Sequence, residues 1–460
     1  MSQTPPAEPR SVRRTVSGWG RYPRVETNLY RPERMPALRA LLEANETSLL
    51  ARGLGASYGD ASLNGQGGTV LTERLNRFLS LDTETGIVSC EAGVTIEDLL
   101  RHLLPRGFFP PVSPGTKYVT LGGCVACDVH GKNHHRSGSF SRHLIDFQLL
   151  TAAGEVVRCS REERPKLFWA TVGGMGLTGV ISELRFRMMP VETPFLAVDF
   201  DRAENLDAAL QLFEGDEDYT HSVAWLDGLA RGASLGRSVV MRANQMDRST
   251  ANARGLGVAR WSTRRTVTVP PGIPSWTLNP WTVRAFNTLY YHRHPRRARR
   301  LTVHYDKYFY PLDRILKWNR LYGPRGLLQY QCVVPLDGGR DALVRLLEAV
   351  SRSQRASFLA VLKRFGPTES EQMLSFPRPG YTLALDFRRD AGGVMALLDS
   401  LDRIVGECGG RVYLAKDARL TRERFEAMYP EVARWREVKG AVDPENRFRS
   451  DLGVRLGLVP

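Results

Sequence analysis

The segment PVSPGTKYVTLGGCVACDVHGKNHHRSGSF, residues 111–140, packs prolines and glycines around an aspartate, three histidines, lysines and an asparagine. Pro111, Pro114, Gly115, Gly122, Gly123 and Gly131 break it into turns, and glycines this dense let backbone press close to a ligand. Its polar residues suit a metal site, a catalytic site or a polar turn. Cys124 and Cys127 form a C-x-x-C with His130 three residues on. A zinc ribbon needs a second ligand pair and haem attachment needs a histidine directly after the second cysteine, so no metal is expected.

Two further glycine turns flank this one. LLARGLGASYGD (49–60) reads as a short strand entering a loop in which Gly53, Gly55 and Gly59 let successive backbone N–H groups turn toward one point, as in phosphate-binding nests. It lacks the strand–helix spacing and later acidic residue of a dinucleotide fingerprint. GIVSCEAGVTIEDLLRHL (86–103) gives a strand, a turn at Gly93, a Thr95 cap with Asp98 three residues on, and an apolar stripe at Ile96, Leu99, Leu100 and Leu103. LFWATVGGMGLTGVISELRFRM (167–188) adds the third glycine cluster and an alternating strand. Glycine turns spread over one α+β domain suggest a large, flat, phosphate-bearing ligand touched from several directions.

At 460 residues the chain is expected to form two domains. Its 42% apolar and 25% charged residues are globular in balance, and no apolar run reaches the ~20 residues of a bilayer span. The N-terminus has Arg13 and Arg14 but no apolar stretch after them, so a flexible tail is expected rather than a signal peptide. Lys+Arg 64 against Asp+Glu 49 gives +15, which favours anionic partners. The densest run, YHRHPRRARR (291–300), is broken by Pro295 and reads as a solvated or mobile loop. The 6 cysteines do not make a disulfide framework in a chain of this length. A nucleic-acid binder would explain the charge but leaves the glycine turns without a purpose.

RGLGASYGD (52–60), the 111–140 turn and LFWATVGGMGLTGVI (167–181) resemble the FAD-binding domain of the vanillyl-alcohol oxidase flavoprotein superfamily. The likeness continues through AWLDG (224–228), YPLDRILKWNRLYGPRGLLQYQCVVP (310–335), LKRFGP (362–367) and GGRVYLAKDARLTRERFEAMYPEVARWREVKGAVDPENRF (409–448). With these it is most similar to the branch that oxidises polyprenylphosphoryl ribose, and the likeness covers nearly the whole chain. The resemblance implies a two-domain α+β fold: a flexible tail over 1–15, an FAD-binding domain over 16–195, an inserted substrate domain with an antiparallel sheet over 196–412, and a C-terminal return to the first domain over 413–460.

It also implies roles for residues. Arg52, Gly53, Leu54, Gly55, Ala56, Ser57, Tyr58 and Gly59 would wrap the FAD pyrophosphate. Gly115, Thr120, Leu121, Gly122, Gly123, Cys127, Asp128, Val129, His130, Ile181 and Tyr413 would line the rest of the cofactor. Many relatives bond the flavin to a histidine where this chain has Ala56, so non-covalent FAD is expected. Lys132, Trp225, Gln329, Gln331, Lys363, Thr382, Ala384 and Lys416 match substrate-pocket positions. Lysines and glutamines suit a substrate with ribose hydroxyls and a phosphodiester. His134 and His135 read as turn residues bonded to backbone, and Trp225 reads equally as a core aromatic.

Mycobacterial members carry cysteine at Ala384, asparagine at Thr382 and tyrosine at Phe309, which alters the pocket strand and not the reaction. The implied activity is FAD-dependent oxidation of the ribose 2-hydroxyl of decaprenylphosphoryl-β-D-ribose to the ketone. A nicotinamide-dependent keto-reductase would complete an epimerisation that serves cell-wall arabinan synthesis, at the surface of a membrane whose face the sequence leaves open. The alternative is a soluble alditol or aldonolactone oxidase using oxygen. Lys416 is the first candidate for the base, near the cation Lys132, with pairing to Asp417 as its competing role; Tyr58 and His130 are the other candidates.

Overall fold

The computed structural model describes residues 10–256, 266–272, 279–390 and 392–460. The strand Ile87–Glu91 leads through the turn at Gly93 into the helix Ile96–Leu103. A reciprocal capping box holds that helix start: Thr95 Oγ1 accepts from the Asp98 N–H while the Asp98 carboxylate accepts from the Thr95 N–H. Ile96, Leu99, Leu100 and Leu103 are all buried. At about 1.5–3 kcal/mol for each fully buried large aliphatic side chain, that stripe and not helix propensity fixes the helix in place.

The strand pairs within an antiparallel five-stranded sheet ordered Phe78–Asp82, Ile87–Glu91, Val180–Arg187, Leu144–Leu150 and Val156–Ser160. A four-stranded sheet ordered Ser11–Ser17, Arg24–Tyr30, Gly68–Leu71 and Leu49–Arg52 carries the first glycine loop at its end. The flexible tail expected over 1–15 is thereby corrected from Ser11 onward, because Ser11–Ser17 pairs antiparallel with Arg24–Tyr30, while residues 1–9 lie outside the described residues. Its side chains are largely exposed, and Arg13 pairs with the exposed Glu26. An edge strand held by backbone bonds leaves no apolar pattern to read.

An eight-stranded, wholly antiparallel sheet runs in the order Arg297–His304, Phe195–Ala203, Ser238–Gln245, His221–Leu226, Ala356–Phe365, Gly380–Arg388, Leu327–Val334 and Arg411–Val412. Helices Gly339–Ser353 and Gly393–Glu407 cover one of its faces, burying Leu343, Leu346, Leu347 and Val350 from the first and Leu397, Leu398, Leu401 and Val405 from the second. The opposite face is turned toward the glycine loops. The loop expected over 291–300 is also corrected. The helix Pro280–Arg293 ends before Pro295, and Arg297–His304 forms the sheet edge beside Phe195–Ala203. Asp199 and Asp201 on that neighbour offset the charge: Arg299 Nη2 lies 2.8 Å from Asp201 Oδ1, and the Arg300 N–H donates to Asp199.

After Val412 the chain returns to the first glycine loop. The Tyr58 N–H donates to the Ala415 carbonyl at 3.0 Å, and Leu49 forms a parallel bridge with Phe448. The approach is so close that a Cβ on Gly59 would lie 1.7 Å from the Asp417 carbonyl oxygen.

Candidate functional site

The first glycine loop is built to accept a bound anion. Among the described residues, the backbone N–H groups from Gly53 to Ser57 donate to no group of the protein. Gly55 sits at φ +64°, the left-handed conformation that turns successive N–H groups to one side. The Arg52 side chain lies beneath the loop, donating to the Ser62 and Ser17 carbonyls at 2.9 and 2.7 Å. Asp60 closes the loop against Arg455, with 2.8 Å bonds from both Nε and Nη2.

The 111–140 turn supplies the second wall. Thr120 caps the short helix Leu121–Ala126, and the Leu121 and Gly122 N–H groups are used on Val94 and Ala92. This wall therefore offers flat glycine backbone more than donors. Asp128 faces inward: its carboxylate accepts from Ser139, the Ser141 N–H and Gln372, and its backbone N–H donates to the Val125 carbonyl. Val129 and Ile181 are part of the hydrophobic core. Tyr413 donates to the Cys127 carbonyl at 3.0 Å and stacks on Phe376. His134 accepts from the Gly366 N–H through Nδ1, and the His135 ring bonds the Tyr219 carbonyl.

The third wall is the open face of the large sheet. Directly opposed residues of antiparallel strands share a face, and the register opposes Trp225 to Val361, Lys363 to Thr382, Ala384 to both Val361 and Gln331, and Asp386 to Gln329. Every strand residue expected in the pocket therefore lies on one surface. Gln331 joins that surface to the glycine turn: its amide nitrogen donates to His130 Nε2 at 2.8 Å and to Thr382 Oγ1 at 3.2 Å. His130 Nε2 is thus an acceptor, and Nδ1 carries the proton in the neutral ring. Among the described residues that buried Nδ1 has no protein partner. Burial, with the nearby Lys363 charge, holds the imidazole well below its usual pKa.

Lys132, Lys363 and Lys416 are all half-buried and converge on this space. Desolvation lowers their pKa values to about 7, about 7 and about 8. The Lys363 charge adds to the effect on Lys132, and the Lys416 charge to that on Lys363. Lys363, not Lys132, is therefore the cation beside Lys416. The lysine ion pairs among the described residues, Lys117–Asp306 and Lys439–Asp443, lie elsewhere. Lys132 donates to the Tyr308 carbonyl. Lys416 Nζ sits 3.9 Å from the centroid of the Tyr58 ring. Asp417, the expected competitor for Lys416, is instead engaged by Arg455 at 2.9 Å. Burial and then Asp386 push the Tyr58 phenol well above its usual pKa, so it keeps its proton and cannot serve as the base.

Asp386 and His221 belong to the same surface and were not read from the sequence. Asp386 is fully buried, is bonded by Gln329 and Tyr322, and is raised to about 7, chiefly by desolvation. His221 shares the parity of Trp225 on its strand, packs edge-on to Phe309 at 4.9 Å, and has both ring nitrogens buried without a protein partner among the described residues. Parity within YTLALDF and HSVAWL was the signal that could have found them. Cysteine introduced as Ala384→Cys is expected to acquire an adduct from electrophilic reagents, whereas the natural chain stays unmodified at this strand because a methyl group offers no thiolate. Peptide mass mapping checks this, and a pocket adduct on the natural protein would overturn the placement of Ala384.

These features fit FAD: a run of unused donors for a pyrophosphate, glycine backbone for a flat ring, and a buried orphan donor at His130 beside it. A family model described as FAD binding domain matches residues 30–160, and one described as D-arabinono-1,4-lactone oxidase matches 329–456. Decaprenylphosphoryl-beta-D-ribose oxidase of Mycolicibacterium smegmatis is 38% identical over 98% of this chain and 99% of its own length. L-gulonolactone oxidase of Bos taurus is 24% identical over 82% of each chain. Mitochondrial L-galactono-1,4-lactone dehydrogenase of Arabidopsis thaliana is 29% identical over 37% of this chain and 28% of its own.

Proposed function

The chain belongs to the FAD-dependent oxidoreductase family of decaprenylphosphoryl-beta-D-ribose oxidase, and from that premise we propose that it oxidises the ribose 2-hydroxyl of decaprenylphosphoryl-β-D-ribose to the ketone. The observation that carries this reading is the convergence of Lys132 and Lys363 on one sheet face, with no ion pair among the described residues. Half-buried cations without a counter-ion are costly unless a ligand supplies one. A phosphodiester does so; a neutral lactone or alditol does not.

Residues 16–195 and 413–460 would hold FAD and 196–412 the substrate. FAD, when bound, supplies the hydride acceptor. Lys132 and Lys363 hold the phosphodiester, and Trp225 walls the pocket. The His130 Nδ1–H donates to an oxygen of the bound pair, while Gln331 keeps the imidazole in that tautomer. Lys416 receives the 2-hydroxyl proton, for which a lowered pKa suits it. A separate nicotinamide-dependent keto-reductase would then return the ketone as the arabinose epimer for arabinan synthesis, with this chain bound peripherally at a membrane surface.

FAD is expected to be held without a covalent bond. Ala56 has no nucleophile, and burial pushes the nearby Cys127 thiol up to about 11, so it is not a thiolate at neutral pH. Acid precipitation should release the yellow chromophore, and fluorescence retained on the denatured polypeptide would refute this. The substrate is tested by anaerobic flavin reduction with a polyprenylphosphoryl ribose against alditols and aldonolactones. Faster reduction by the free sugars would favour the lactone-oxidase alternative and sink this reading.

A further inference from the structure

The helix Pro280–Arg293 is amphipathic in an unusual sense: its inner side is pinned and its outer side is apolar yet open. Val283 and Asn287 are buried, and Asn287 Nδ2 donates to Asp227 at 2.7 Å. Tyr290 lies 4.4 Å, ring to ring, from Trp225. On the outer side Trp281 is 77% and Leu289 69% exposed, and with Arg284, Ala285, Thr288 and His292 they line a shallow groove. One exposed leucine needs no explanation. A tryptophan and a leucine two turns apart on the same stripe, with a guanidinium between them, form an apolar patch.

Charge decides what covers it. The patch ends at Arg293, Arg296 and Arg300, all exposed, in a chain of formal charge +15. An aromatic anchor, aliphatic side chains and arginines on one exposed helix face are the composition of helices that lie in the headgroup region of an anionic bilayer. We infer that the face of Pro280–Arg293 carrying Trp281 and Leu289 docks this protein on anionic lipid. Trp281 and Leu289 enter the acyl boundary while the arginines meet phosphate headgroups. The docked helix would stand directly over the pocket strands, because Tyr290 touches Trp225, and Trp225 is opposed to Val361, which is in turn opposed to Ala384. A lipid tail could then remain in the bilayer while its head group reached the lysines. The docking rests on the peripheral membrane binding proposed above and names its face; only this last consequence rests on the proposed substrate.

The test uses the full FAD-loaded chain with vesicles of phosphatidylcholine alone or mixed with phosphatidylglycerol. Sedimentation with the anionic vesicles is expected at low salt, falling as salt screens the headgroups. Brominated acyl chains should quench tryptophan emission. Trp281→Ser with Leu289→Ser should weaken vesicle binding by roughly tenfold or more, the loss that follows withdrawal of large apolar side chains from the acyl boundary. The variant's circular dichroism and its turnover of a short-chain, water-soluble substrate should be unchanged. Equal binding by variant and natural protein, equal binding to neutral and anionic vesicles, or no binding to either would overturn the inference, the last pointing to a protein partner for this face. Variant-sensitive binding by an enzyme that ignores polyprenylphosphoryl ribose would refute the proposed substrate and leave the docking face standing.

Discussion

Lys416→Ala is expected to keep its bound FAD and visible spectrum and to lose flavin reduction by substrate, by roughly 10²–10⁴-fold in single turnover. The expectation rests on comparing the three candidate groups Lys416, Tyr58 and His130. The Tyr58 phenol is held above its ordinary pKa by burial and Asp386, and so stays protonated. The His130 acceptor nitrogen is already occupied by Gln331. Lys416 alone combines a pKa lowered to about 8 with a position over the first glycine loop. Its pH dependence has a definite sign: the neutral amine that can take a proton grows as pH rises through about 8, so the reduction rate should rise to a plateau. The anion-binding lysines behave oppositely. Lys132 and Lys363, each at about 7, lose charge as pH rises and hold a phosphodiester less well. KM should therefore climb over the interval in which kcat increases, giving a bell in kcat/KM. Normal flavin reduction by Lys416→Ala, with only a raised KM, would make Lys416 a binding residue.

Arg455→Met should cost about 3–5 kcal/mol of stability, the range found when one partner of a buried ion pair is removed. Arg455 makes a bidentate contact with Asp60 and reaches Asp417 at 2.9 Å, and both carboxylates are almost completely buried. Methionine keeps much of the stem volume but removes the guanidinium that pairs with both Asp60 and Asp417. Asp60 is already raised above its usual pKa by desolvation, and Arg455 is what opposes that shift. In the variant the folded-state pKa rises further, so the lost stability returns as pH falls and Asp60 takes a proton. The fall in Tm should accordingly be large near pH 8 and smaller near pH 5. FAD affinity should drop with it, because Asp60 closes the first glycine loop and Asp417 adjoins Lys416. An equal loss at both pH values would assign the effect to packing, not charge.

Local signals carried much of the fold. The Thr95–Asp98 cap, the stripe from Ile96 to Leu103 and the strand entering the first glycine loop depend on neighbours a few positions away, and the structure has them where the pattern put them. The strand Ser11–Ser17 and the edge strand at 297–304 went unread for a shared reason: each is held by pairing to a distant strand while its own side chains stay mostly in solvent. A run of arginines looks repulsive until Asp199 and Asp201 are brought beside it.

The residue types of the pocket are legible in sequence, because lysine, glutamine and histidine between glycine turns already imply a polar, anion-seeking cavity. Their chemical states are not. The His130–Gln331 bond joins positions separated by 201 residues. Strand register, set by the whole antiparallel sheet, puts Lys363, Thr382, Ala384, Asp386 and Gln331 on one face. Chain order set Lys416 next to Asp417; the fold gave Asp417 to Arg455 and placed Lys416 by Lys363 and Asp386 instead. By itself the sequence determined the secondary structure with strong local periodicity, the glycine loops and the family. Tertiary structure alone decided protonation, ion pairing and which donors remain unused. Those depend on desolvation and on charges a few ångströms away in space, and neither quantity exists until the chain has folded.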